Sequence, residues 1–146
     1  MHDVSPAIFV AFAVLGCACS RSHEPDRGPL YTPAVANLLN ALAGDCAFTR
    51  ADGLEHRTCR GRQATMTIDL GPDRNIRALE IIVVASSSYE AAEMLKPVLP
   101  AVASPTLIDA IARRITRNMA MPDEELEGVT VHVRSSNPKF TVGLRW

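Results

Sequence analysis

The feature that most constrains this chain is a repeated change of hydrophobic period. Thr65-Met66-Thr67-Ile68-Asp69-Leu70 alternates polar and apolar residues one by one. Val129 to Arg134 and Phe140 to Trp146 do the same. Alternation of this kind sends successive side chains to opposite faces, so each segment reads as a strand with one buried and one wet face. The strand after Thr65–Leu70 spans Ile76 to Ala85, across the turn Gly71-Pro72-Asp73-Arg74-Asn75. Its second half, Ile81-Ile82-Val83-Val84, is apolar on both sides, which suits a central strand or one whose outer face meets another element. Ser135-Ser136-Asn137-Pro138 is the turn between the last two strands.

Between and before these strands the period lengthens to that of a helix. Val35, Leu38, Leu39 and Leu42 share a face, with Thr32 as cap, Pro33 in the first turn and Gly44 as the stop. Ser87 and Glu90 have the spacing of a capping box, and Pro97 and Pro100 end that helix early. Ser104-Pro105 opens a third helix. Its apolar stripe is Ile108, Ile111, Ala112, Ile115 and Met119, and Arg113, Arg114 and Arg117 lie off the stripe as a solvent face. Asp45 to Arg57 reads as a loop with an Asp52-Gly53 turn inside it. Asp123, Glu124, Glu125 and Glu127 read as a solvated turn. The expected fold is α+β: a two-layer sandwich in which two hairpins make a four-stranded antiparallel sheet with helices on one face, in the order α-β-β-α-α-β-β.

Residues 7–16 form an unbroken apolar run that stops at Cys17. A run of about ten residues is half of what a membrane-spanning helix needs, and reads as a secretory signal. Val14-Leu15-Gly16-Cys17 resembles the lipobox of bacterial lipoproteins, in which the cysteine is lipidated and becomes the mature N-terminus. Leu15 stands where that family usually has a small residue, and Met1-His2-Asp3 carries no basic residue. The resemblance implies acylation of Cys17 and attachment to a membrane through that lipid. Ala18 and Cys19 are not acidic, which by the same resemblance favours the outer membrane, facing the periplasm. The resulting division is a signal peptide over residues 1–16, a lipidated cysteine and flexible tether over 17–33, and one α+β domain over 34–146.

The chain has 146 residues with 15 basic and 16 acidic side chains, a net charge of −1. A nucleic-acid binder needs a strong basic excess, so no nucleic-acid partner is expected. Cys46 and Cys59 lie inside the folded region. In an oxidising compartment they would bridge, closing a loop of about fourteen residues and stabilising the fold by roughly 3 kcal/mol. Cys19 is left over in the tether.

No nucleophile elbow or Gly-rich phosphate loop is present; Ser86-Ser87-Ser88 is a strand-to-helix turn, and Arg60-Gly61-Arg62 has a single glycine. Cys46, His56 and Cys59 lack the second closely spaced pair of a zinc site, so neither a metal nor another cofactor is expected. His132 has no carboxylate nearby in sequence and reads as an exposed strand histidine. The polar sheet face carries Thr65, Thr67, Asp69, Thr130, His132, Arg134, Thr141 and Arg145. Of these, Thr65, Thr67, Thr130, His132, Arg134 and Arg145 are the candidate binding surface, better suited to a protein or glycan than to an apolar ligand.

Small size, a tether and the lack of a catalytic constellation point to a non-enzymatic binding or accessory module of the bacterial envelope, with a protein partner. The alternative is an inhibitor or immunity-type protein acting against a toxin or a wall-cleaving enzyme. A hydrolase using His132 or His56, and a small-ligand carrier with a cavity between helices and sheet, are the further readings.

Overall fold

The computed structural model describes residues 28–117 and 121–146. Its secondary structure is α1 (Pro33–Asn40), β1 (Asp45–Ala51), β2 (Leu54–Arg60), β3 (Ala64–Leu70), β4 (Ile76–Val84), α2 (Ser88–Leu95), α3 (Pro105–Arg117), β5 (Glu124–Leu126), β6 (Val129–Ser136) and β7 (Lys139–Arg145), with a short 3₁₀ turn at Leu99–Ala101. All seven strands join one antiparallel sheet in the order β1-β2-β3-β4-β7-β6-β5. Cys17, Cys19, the apolar leader and Met119 lie outside the described residues.

The four-stranded sheet expected from two hairpins is therefore replaced by a sheet of seven strands. The segment read as a clamped loop, Asp45–Arg57, is mostly the β1–β2 hairpin. Asp52 and Gly53 both have positive φ, 56° and 78°. This is the two-residue turn whose twist matches that of paired strands. A second such turn, at Glu127 and Gly128 with φ of 53° and 78°, folds the acidic segment back as β5. Both strands escaped the alternation pattern because they lie at the sheet edges, where little apolar surface is buried. Every residue of β1 is exposed.

β4 is the middle strand and pairs with β3 on one side and β7 on the other. After β4 the chain passes through α2 and α3 to the far edge, then returns through β6 and β7. The apolar sides of all three helices meet one face of the sheet in a single core. Leu39, Leu95, Ile111 and Ile115 pack there with Met66, Ile68, Leu79, Ile81, Val83, Val131, Val142 and Leu144.

The helix starts follow local chemistry. The Thr32 hydroxyl accepts from the Val35 N–H at 3.2 Å, Ser87 from Glu90 at 3.1 Å and Ser104 from Leu107 at 3.3 Å. α1 stops at Asn40, capped by Ala41, before reaching Gly44, and Leu38 remains 47 % exposed. The start of the described chain belongs with the sheet: Leu30 bridges Asn75, and Tyr31 is buried. At the other end, the Trp146 N–H donates to the Arg77 carbonyl at 3.0 Å, and its side chain packs against the core.

One charge was misplaced by the periodicity. Arg114, read as solvent-facing with Arg113 and Arg117, is 6 % exposed. Its guanidinium donates to the Glu124 carboxylate at 2.6 Å and to the Pro122 carbonyl at 3.1 Å. A buried guanidinium needs such partners, and β5 and the segment just before it supply them.

Cys46 and Cys59 sit directly opposite each other on β1 and β2 and are joined by a disulfide. The bond ties the exposed edge strand to Cys59, which is fully buried.

Candidate functional site

Along β3, β6 and β7 every second side chain points away from the helices, and none of these is fully buried. This open face is polar. Thr65, Thr67 and Asp69 lie on it from β3, Thr130, His132 and Arg134 from β6, and Thr141 and Arg145 from β7. The register brings Thr67, Glu80, Gly143 and His132 into one row across β3, β4, β7 and β6. The next row runs through Asp69, Ala78, Arg145 and Thr130.

These rows line a shallow concavity of about 400 Å³, bounded by Thr67, Asp69, Glu80, Asp123, Thr130, His132 and Arg145. Gly143 is its floor. A glycine inside a central strand weakens the strand and often marks a place of close approach. Here the space that a side chain would take lies beside the imidazole of His132. A Cβ on Gly143 would sit 3.4 Å from the His132 Cβ and 3.7 Å from its Cδ2.

Of the six residues selected from sequence, Thr67, Thr130, His132 and Arg145 line this concavity. Thr65 and Arg134 share the face, further along their strands, and Arg134 borders a separate depression with Ser135 and Ser136. Cys46 and Cys59 are bonded on the opposite, helix-bearing side.

Sequence reasoning missed the carboxylates that hold both histidines. His132 Nδ1 lies 2.6 Å from Asp123 Oδ1, because β5 folds back beside β6. His56, opposite Asp69 in the β2–β3 register, has its Nδ1 2.5 Å from Asp69 Oδ1. The two pairs flank the concavity, one on each side of Glu80 and Arg145. Asp-Gly between two short polar segments was the available signal for His56, since a two-residue hairpin there carries it beside β3. Glu-Gly was the weaker signal for Asp123.

The pairs also set local proton affinities. The hydrogen bond to Asp69 raises the His56 pKa above its ordinary value, against an opposing effect of desolvation. The hydrogen bond from His132 holds the Asp123 carboxyl below the ordinary carboxylate range. Where Nδ1–H donates to the carboxylate, Nε2 is the acceptor of the neutral ring. The concavity thus presents hydroxyls, carboxylates, an imidazole and a guanidinium on a rigid sheet, a mixed set of donors and acceptors suited to a polar partner.

Among the described residues no group of three or more His, Cys, Asp and Glu side chains is placed to hold a metal ion. No helix among them is long and apolar enough to cross a membrane. The Cys46–Cys59 bond points to an oxidising, extracytoplasmic location. Comparison with family models, with curated proteins and with solved structures gave no match to this chain.

Proposed function

We propose that this chain is an exported, lipid-tethered binding module of the bacterial envelope that docks a polar protein partner on the open face of its sheet. The observation that carries the reading is the concavity floored by Gly143. A central strand gives up a side chain at the point where residues from β3, β4, β6 and β7 converge, on the face that the helices leave uncovered. The disulfide supports export, and Cys17 supplies the membrane attachment by its lipobox-like setting. The module is non-enzymatic: it recognises its partner through hydrogen bonds and complementary charge, with Arg145 and Glu80 setting orientation.

The test is crosslinking of the tagged full chain in its own envelope, comparing the unaltered protein with a Thr67→Arg, Arg145→Glu variant. A protein adduct present in the first and absent from the second supports the reading. An adduct that survives both changes removes the open face from recognition. Palmitate labelling that is lost in Cys17→Ser supports the tether, and labelling that persists excludes it.

A further inference from the structure

The two edges of the sheet are built differently. β5 has three residues, two of them glutamates, and follows Pro122. Short length, charge and a nearby proline are the devices by which edge strands avoid pairing with other chains. β1 has neither the short length nor the proline, and its charges, Asp45 and Arg50, stand near its two ends. It runs for seven residues, Asp-Cys-Ala-Phe-Thr-Arg-Ala, without lysine, proline or bulge, and all seven are exposed.

Among the described residues no strand pairs with the outer side of β1, and which of its backbone groups face that way follows from its turn. A two-residue hairpin turn closes on a hydrogen-bonded pair, here Ala51 and Leu54, and such pairs alternate along an antiparallel ladder. Thr49 and Ala47 therefore bond inward to β2. Cys46, Phe48 and Arg50 direct their N–H and C=O groups outward. The 3.9 Å separation of the Cys46 and Cys59 Cα atoms agrees, since close approach belongs to the pairs that do not bond each other.

These outward residues are spaced evenly about Phe48, the centre of the strand. We propose that β1 pairs antiparallel with β1 of a second copy of this chain, about a two-fold axis through Phe48. Phe48 then faces its own counterpart, and Cys46 of each copy faces Arg50 of the other. This register satisfies every outward N–H and C=O of the three residues in both copies. Sliding either way by two residues leaves some unpaired, and sliding by one opposes outward groups to inward ones. The side chains fit as well. The Phe48 ring is 60 % exposed, with the Arg57 guanidinium 5.5 Å from its centroid, and the axis stacks it on an identical ring. With a net charge of −1 the copies barely repel. The product is one continuous sheet across two copies, with both open faces left uncovered, so it stands apart from recognition at the concavity.

The experiment places p-benzoylphenylalanine at position 48 of the full chain, co-expresses copies with two different tags, and irradiates them. The expected product carries both tags, with its crosslink mapped to residues 45–51 of the second copy. Arg50→Pro, which removes one outward N–H and no bond to β2, lowers the yield roughly tenfold or more. Arg50→Ala keeps that N–H and keeps the adduct. An adduct to the same copy, an adduct to a different protein, no adduct, or an Arg50→Pro yield equal to that of the parent overturns the proposal. The position of the crosslink decides the matter even where the proline variant fails to fold.

Discussion

The two faces of the same sheet obey different physics. On the helix side, Met66, Ile81, Val131 and Val142 are almost wholly removed from water and contribute through packing. One residue away along each strand, Thr67, Glu80 or Ile82, Thr130 or His132, and Gly143 remain in contact with solvent. The covered face holds the fold together, and the open face presents chemistry on it. The backbone is shared, so the contrast isolates what side-chain environment does. A strand tolerates a glycine at Gly143 because its neighbours Val142 and Leu144 are anchored on the other side.

The sharpest way to break this contrast is to truncate across the sheet. Ile81→Ala, at 1 % exposure, is expected to cost about 2–5 kcal/mol in chemical denaturation, whereas Thr67→Ala costs at most ~0.5 kcal/mol. Equal costs would mean that the open face also carries stability. Removing the disulfide with a Cys46→Ala, Cys59→Ala double variant is expected to cost about 3 kcal/mol by the same measurement.

Arg114→Ala sharpens the comparison at the edge of the core. It removes the partner of Glu124 and a bond to the Pro122 carbonyl, and its expected cost is about 1–2 kcal/mol. The cost stays below that of stranding a buried ion, because the Glu124 side chain is 44 % exposed and water can reach it.

Gly143→Ala separates stability from recognition. The added Cβ meets His132 at ordinary contact distance, and alanine restricts the unfolded chain, so the variant is expected to gain about 0.4–1 kcal/mol in stability. The same methyl group fills the floor of the concavity, and partner crosslinking is expected to fall. Loss of stability, or undiminished crosslinking, would count against the site.

The smallest effects are those of pH. Because the folded His56 pKa is raised, its protonated form stabilises the protein. That contribution is complete below the ordinary value of 6.5 and disappears as pH rises through the folded value. The melting difference between the parent and His56→Gln should therefore shrink from about pH 5 to about pH 9. Asp123 acts in the opposite direction. Its lowered pKa gives stability present above the ordinary value of 3.8 and lost as pH falls through the folded one. An Asp123→Asn difference that grew on acidification would contradict the His132 pairing.

The legible parts of this fold were those in which burial imposes a period. β3, β4, β6 and β7 announce themselves because each buries one full face, and the apolar Ile81–Val84 allowed for, without deciding, the central place that β4 takes. The three helix starts were legible from Thr32, Ser87 and Ser104, since capping is a local hydrogen bond between residues three apart. β1 and β5 were not, because edge strands bury too little to shape a pattern, and β2, internal but fully buried only at Cys59, shows none either; all three depend on turns at Asp52-Gly53 and Glu127-Gly128. Arg114 was misread for a related reason. Its helix position faces the gap between α3 and β5, and that gap exists only once β5 is in place.

The amino-acid sequence by itself determined which side chains share a strand face, where helices begin, and that Cys46 and Cys59 are available to bond. These depend on spacing along the chain. Tertiary structure decided which strands are neighbours, and with that the His56–Asp69 and His132–Asp123 pairs, the Gly143 floor and the unguarded edge at β1. Such features join residues from strands whose order no local period encodes, because pairing is fixed by how the whole chain closes its core.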